Sequence, residues 1–178
     1  MSYKLTPHPD HPAPPGFEVE VEIEPEGSGL SLIYIFAGDD RDVLIQPGIG
    51  GGRQDGLWKH TCFEAFIRCG DAGRYTELNF APTGEWAAYT FDGYRDGMRN
   101  LPVADRPFAF RGVKEPCWEG SRWWSFNTGD ILDPSVEWRV GLSAVIEAAD
   151  GSKSYWALDH APGPPDFHNP ACFKLRFI

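Results

Sequence analysis

What is scarce in this chain narrows the field before any motif does. No run of apolar residues approaches the ~20 that a helix needs to cross a bilayer. The opening residues, MSYKLTPHPDHPAPPG, lack the apolar centre of a secretory signal, so as given the sequence reads as a cytoplasmic protein. Cysteine is sparse. Cys62, Cys69, Cys117 and Cys172 show neither C-x-x-C pairing nor another metal-ligand spacing, which points to free thiols in a reducing compartment rather than a disulfide framework. Basic residues are too few to balance the acids: 16 Lys and Arg against 26 Asp and Glu leave a formal charge of -10. Repulsion from phosphates then argues against nucleic acid or an anionic membrane as partner, and a small neutral or cationic ligand fits better. Helix signals are almost missing too. Only residues 130–135 suggest a helical turn, with Asp130 as its cap.

Turn formers and rings are plentiful instead. Twenty Gly and 16 Pro break the chain into short pieces, and seven Trp supply bulk for a core between sheets. Residues 17–24 alternate Phe17, Val19, Val21 and Ile23 with four glutamates, a half-buried strand with an acidic outer face that discourages edge pairing. Residues 30–37, LSLIYIFA, are apolar on both faces and predict a central strand. Further strands are predicted over 43–45, 60–68, 74–80, 86–91, 107–114, 121–128, 137–148, 154–158 and 172–178. Hairpin turns fall at 116–120 and at Asp150-Gly151. Nine or ten short strands without a long helix predict an all-β fold, a two-sheet antiparallel sandwich, jelly-roll-like with an immunoglobulin-like appearance. One domain over residues 17–178 is expected. It would follow a flexible Pro-rich arm, residues 1–16, in which proline removes the N–H groups a central strand needs.

The stretch from Asp55 to Tyr94 reads as a three-stranded meander around which the rest is arranged. Alternation puts Phe63, Ala65, Ile67, Leu78, Phe80, Ala87, Tyr89 and Phe91 on a core face. The opposite face then collects Glu64, Glu77 and Asn79 beside Phe66, Tyr75 and Trp86. Rings that stack on apolar C–H faces, with carboxylates and an amide to hold hydroxyls, suit a carbohydrate-like small molecule. In this reading Trp86 and Tyr75 stack and Glu64, Glu77 and Asn79 orient, while Arg95, Arg99 and His168 reach in from covering loops. The structural alternative is that Trp86 packs under a loop and the glutamates pair with Arg95, Arg99 or Lys59.

Three other features bear on chemistry. Gly48-Ile49-Gly50-Gly51-Gly52-Arg53 has the look of a phosphate loop, but no helix start follows it, and a mobile loop bordering the binding face is the better reading. Asp159, His160, Asp166 and His168 could hold a metal, the last two by i, i+2 spacing, although such a loop more often bonds its own backbone. Glu64 and Glu77 could also serve as the acid and the nucleophile or base of a glycoside-hydrolase-like enzyme. No nucleophile elbow or H-E-x-x-H supports catalysis, so non-catalytic ligand binding is the primary expectation.

The run W-x-x-x-x-F-E-x-F followed by Y-x-E-x-N-F-x-P-x-G-E-W resembles the meander of DOMON-like domains, a group that includes family 9 carbohydrate-binding modules. The matching residues are Trp58, Phe63, Glu64, Phe66, Tyr75, Glu77, Asn79, Phe80, Gly84 and Trp86. The resemblance implies a β-sandwich that binds sugars or haem. For haem it implies Met and His axial ligands, here Met98 with His168 or His160. Family 9 modules can carry structural calcium, but no motif here transfers that site, and no cofactor is expected.

Overall fold

The computed structural model describes residues 1–70, 73–103, 109–112, 121–128, 133 and 135–177. The chain is all-β. Its strands are β1 (Ser2–Pro7), β2 (Glu18–Glu26), β3 (Gly29–Ala37), β4 (Gly52–Arg53), β5 (Cys62–Cys69), β6 (Tyr75–Phe80) and β7 (Glu85–Phe91). After these come β8 (Arg99–Asn100), β9 (Ala109–Gly112), β10 (Ser121–Asn127), β11 (Trp138–Glu147), β12 (Lys153–Ala157) and β13 (Leu175–Phe177). Among the described residues the helical segments are three 3-10 turns of three residues each.

The two expected sheets are joined into one hydrogen-bonded path, β4-β7-β6-β5-β11-β12-β1-β2-β3-β10-β9, with β8 added to β7 and β13 to β11. Among the described residues every strand pairing is antiparallel except β4 with β7. The seam is β1. Its first half, Ser2 to Leu5, pairs with β2, and its end, Thr6 and Pro7, pairs with β12. The two halves of the path bury a common core in which Val19, Val21, Ile23, Leu32 and Tyr34 meet Phe63, Ile67, Leu78, Phe80 and Trp156. Tyr34 crosses between them: its ring lies 4.8 Å from that of Phe63, and its hydroxyl donates to the Glu64 carbonyl at 2.6 Å. Area removed from water by such rings and aliphatic chains is the main source of stability, about 25 cal/mol per Å².

β2 alternates as its sequence predicts, with Val19, Val21 and Ile23 buried and the glutamates exposed. β3 is flanked on both sides, by β2 and β10. The Asp150-Gly151 turn closes the β11–β12 hairpin. Four expectations need correction. Residues 1–16 are not an unpaired arm, because the prolines begin at Pro7, the last residue of β1, and leave the N–H groups of Ser2 to Thr6 free for the ladder. Residues 43–45 form no strand, only an isolated bridge from Val43 to Ala148. The last strand is shorter than expected, since Pro170–Cys172 is a 3-10 turn capped by the Asn169 side chain. Finally, β7 is phased one residue away from the sequence reading. Phe80 pairs with Trp86, Leu78 with Ala88 and Glu77 with Tyr89, so Trp86 and Ala88 face the common core while Ala87, Tyr89 and Phe91 face the other side. A one-residue slip exchanges the two faces of a strand. The expected turn at 116–120, Cys117 and most of the 130–135 turn lie outside the described residues.

Candidate functional site

The outer face of the β7–β6–β5–β11–β12 ribbon carries a second cluster of rings, and above it lies a cleft of about 320 Å³. Its floor is laid down strand by strand. Glu64 and Phe66 come from β5, Glu77 from β6, Phe91 from β7, Val145 from β11 and Tyr155 from β12. Three connections complete the walls. The turn before β5 supplies Trp58, the loop after β7 supplies Arg95 and Met98, and the loop after β12 supplies Pro165, Phe167 and His168. That last loop is drawn close to the sheet at Gly141, where a Cβ would sit 3.0 Å from the Cys172 carbonyl oxygen.

The two glutamates are deeply placed and thinly supported. Glu64 is 2% exposed, and its Oε2 accepts from Ser143 Oγ at 3.1 Å. Among the described residues its Oε1 accepts no hydrogen bond. Burial, followed by the neighbouring Glu77 charge, pushes the Glu64 carboxyl up to about 8, so it is largely protonated at neutral pH. Glu77 is raised by burial as well, against the hydrogen bond from Asn79 and the pull of Arg95. Asn79 Nδ2 donates to Glu77 Oε1 at 2.7 Å, and His168 Nε2 stands 3.7 Å from Glu77 Oε2.

His168 is enclosed by the rings of Phe66, Tyr75 and Phe91, with centroids 5.0, 5.8 and 5.2 Å away. Burial, then the Arg95 charge, lowers it to about 4 and keeps it neutral. The Tyr75 hydroxyl accepts from the Arg95 backbone N–H at 3.2 Å and lies 2.7 Å from His168 Nδ1. Donation by that hydroxyl to Nδ1 satisfies both groups and leaves Nε2–H directed toward Glu77. Arg95 has φ 53, an unusual value for a non-glycine residue. Its guanidinium donates to Asp166 Oδ1 from Nη2 at 2.7 Å, and Tyr94 donates to Asp166 Oδ2 at 2.7 Å. Burial alone would raise Asp166, but these two bonds outweigh it and hold the group below its ordinary value. Two loops are thereby clamped together at the rim.

Of the residues singled out in the sequence, Glu64, Glu77, Arg95 and His168 share this cleft. Asn79 and Tyr75 stand just behind it, Asn79 fully buried against Glu77 and Tyr75 stacked on Phe91 at 4.6 Å rather than open to a ligand. Trp86 is on the opposite face, in the core, with the Arg53 guanidinium 5.5 Å from its ring. Arg99 turns away to Asp92, donating from Nη2 to Oδ1 at 2.8 Å. The Trp ring that lines the cleft is Trp58, 37% exposed, rather than Trp86; the family-like run contained it but the strand pattern did not select it. Phe91 was placed on the wrong face by the one-residue slip of β7, and Tyr155 and Phe167 were missed because their strand and loop meet the meander only in three dimensions.

The other two constellations resolve differently. The glycine-rich loop binds an anion that belongs to the chain itself. Glu85 Oε1 accepts from the backbone N–H groups of Ile49 at 2.6 Å, Gly50 at 3.1 Å and Gly51 at 3.3 Å, and Thr83 donates to Oε2. Gly48 must be glycine for this approach, since a Cβ there would stand 2.5 Å from Glu85 Oε1. In the Asp159 to His168 segment the polar atoms are spent within the fold. Asp159 pairs with Lys174 at 2.6 Å and His160 Nε2 bonds the Thr6 carbonyl at 2.8 Å. Among the described residues no group of three or more His, Cys, Asp or Glu is placed to hold a metal ion. Met98 and His168 both line the cleft, whereas His160 does not.

The chain shares its fold with a solved structure. That structure is of a Bacteroides uniformis protein provisionally described as carbohydrate-binding, 14% identical, with a TM-score of 0.63 over 97% of this chain and 84% of the other. No family model matches the chain, and no curated protein matches it. Among the described residues no helix is long and apolar enough to cross a membrane.

Proposed function

We propose that this protein is a DOMON-like ligand-binding domain that holds a carbohydrate-like small molecule in the cleft, without turning it over. The observation that carries the reading is the pairing of an accessible ring, Trp58, with two buried carboxyl groups, Glu64 and Glu77, in one concavity. An apolar wall matches the C–H face of a sugar, while a protonated Glu64 and an acceptor on Glu77 match a donor and acceptor pair on its rim. The described fold and function of the Bacteroides uniformis protein support this reading.

The test is thermal unfolding of wild type and Trp58→Ala against a panel of mono- and oligosaccharides, because a ligand that binds only the folded state raises the melting temperature. At least one sugar should stabilise the wild type. Trp58→Ala should lose about tenfold or more in affinity for it while unfolding stays cooperative, the loss of one stacked ring being worth about 1–2 kcal/mol. A panel in which no sugar stabilises the protein sinks the proposal. Release of a chromophore from an aryl glycoside by wild type but not by Glu64→Gln would replace binding with hydrolysis.

A further inference from the structure

Resting on that cleft as the ligand site, we infer that its ligand carries a protonated amine, seated between the Glu64 and Glu77 carboxyl groups and beside the rings of Trp58, Phe91 and Tyr155. The class is an amino sugar or a comparable hydroxylated amine.

The argument begins with charge. Four residues that line the cleft are acidic or basic: Glu64, Glu77, Arg95 and His168. Arg95 is already matched by Asp166 in an ion pair of 2.7 Å. His168 is held neutral by burial in its ring cage and then by the Arg95 charge. Neither glutamate is therefore hydrogen-bonded to a cationic side chain among the described residues of the site, and Arg95 acts on Glu77 only from a distance. Glu64, 98% withdrawn from solvent by its 2% exposure, has one oxygen bonded to Ser143 and the other open to the cleft. A buried carboxyl group with a free oxygen is costly unless something donates to it.

Register sets the reach. Glu64 pairs with Asn79, and Glu77 lies two residues away on the same strand and the same face. Diagonal neighbours of this kind have their Cα atoms about 7–8 Å apart, which allows one ammonium to donate to both carboxyl groups, its charge drawing Glu64 from the protonated form of the empty cleft into the ionised one. The walls then separate an organic cation from a metal ion. A hard metal ion requires six or more oxygen ligands or ordered waters, and this cleft offers rings in their place. An ammonium is stabilised by the face of Trp, Tyr or Phe as well as by carboxylates. The acidic balance of the chain favours the same partner.

Calorimetric titration of the whole protein with glucosamine, 6-amino-6-deoxyglucose, glucose and choline tests the inference. The amino sugars should bind about tenfold or more tightly than glucose. In Glu77→Gln, which keeps an oxygen for Asn79, the preference for amine over glucose should fall to about one. Glu64→Gln provides the same comparison should Glu77→Gln not unfold cooperatively. Glucose binding as tightly as the amines, or a wild-type preference that survives both variants, overturns the inference while leaving a sugar site in place. Choline binding with silence toward every sugar would show a cation held by the rings without an N–H donated to the glutamates, and overturns the inference as well. Silence toward all the amines overturns it.

Discussion

Glu85 and Glu64 stand on two strands of one meander and are almost equally buried, at 1% and 2% exposure, yet their surroundings are opposite. Glu85 is wrapped by three backbone N–H groups and the Thr83 hydroxyl. Burial alone would raise its pKa, but the donors together hold it below the ordinary value. Glu64 has a single hydroxyl donor and an acidic neighbour, and its pKa is pushed up to about 8. A saturated carboxylate fastens a loop and has nothing left for a ligand. An undersupplied one keeps bonding capacity that only something entering the cleft can use, and the fold carries its cost.

The largest effect should come from breaking the undersupplied side. Glu64 rises from 4.5 to about 8 on folding. A group raised in this way contributes stability that is fully present below the unfolded value and is lost as pH climbs through the folded one. At about 1.36 kcal/mol per unit, wild type should lose roughly 4 kcal/mol relative to Glu64→Gln between pH 4.5 and 8. His168 has the opposite sign. It falls from 6.5 to about 4, so its contribution is present above 6.5 and lost as pH drops through the folded value, roughly 3 kcal/mol relative to His168→Asn. Urea unfolding of the three proteins at matched pH would resolve the two slopes. A wild type and Glu64→Gln that run parallel from pH 4.5 to 8 would show that Glu64 ionises freely, and the contrast with Glu85 would collapse.

The saturated side is expected to respond less, and oppositely in pH. Glu85→Gln removes the charge that three N–H groups share and should cost about 2–3 kcal/mol at neutral pH. Because the Glu85 pKa is depressed, its contribution is present above the unfolded value and disappears as pH falls through the folded one. Wild type and variant should therefore converge in acid. Amide hydrogen exchange at Ile49, Gly50 and Gly51 provides the local readout, with protection lost in the variant. Protection that survives would mean the loop is held by something other than the carboxylate.

The contrast also explains what the sequence could reveal. Glu64 and Glu77 were legible because a charge alternating with Phe63, Ala65 and Leu78 can face only one way. Trp86-Ala87-Ala88-Tyr89 gives no such cue, since both faces are apolar. The face of Trp86 is decided only by the Phe80 to Trp86 pairing that follows the turn at residues 81–84. β1 was hidden because Leu5 is its one fully buried residue and prolines crowd behind it. The glycine-rich loop was read as a mobile loop at the binding face because no helix follows it, and no local signal shows that it closes on a carboxylate 36 residues away in the same chain. Phe167 and Tyr155 enter the cleft by tertiary contact alone, which leaves no local pattern to read.

The smallest expected effect sharpens the comparison at the cover of the open site. Gly141 lies opposite Phe66 in the β11–β5 pairing, beneath the turn that ends at Cys172. An added methyl would meet the Cys172 carbonyl oxygen at 3.0 Å and the Phe173 Cα at 3.7 Å, close enough that the turn must move by a few tenths of an ångström. Gly141→Ala should then cost about 1–2 kcal/mol, as modest overpacking does. Its effect should also be uneven across the molecule. The turn continues directly from Phe167 and His168, so ligand affinity at the cleft should drop by about two- to fivefold, while hydrogen-exchange protection of the loop around Glu85 stays as in wild type. An equal loss at both places would make the variant a general destabiliser, and would mean that the cover of the cleft is not adjusted independently of the saturated carboxylate on the far edge.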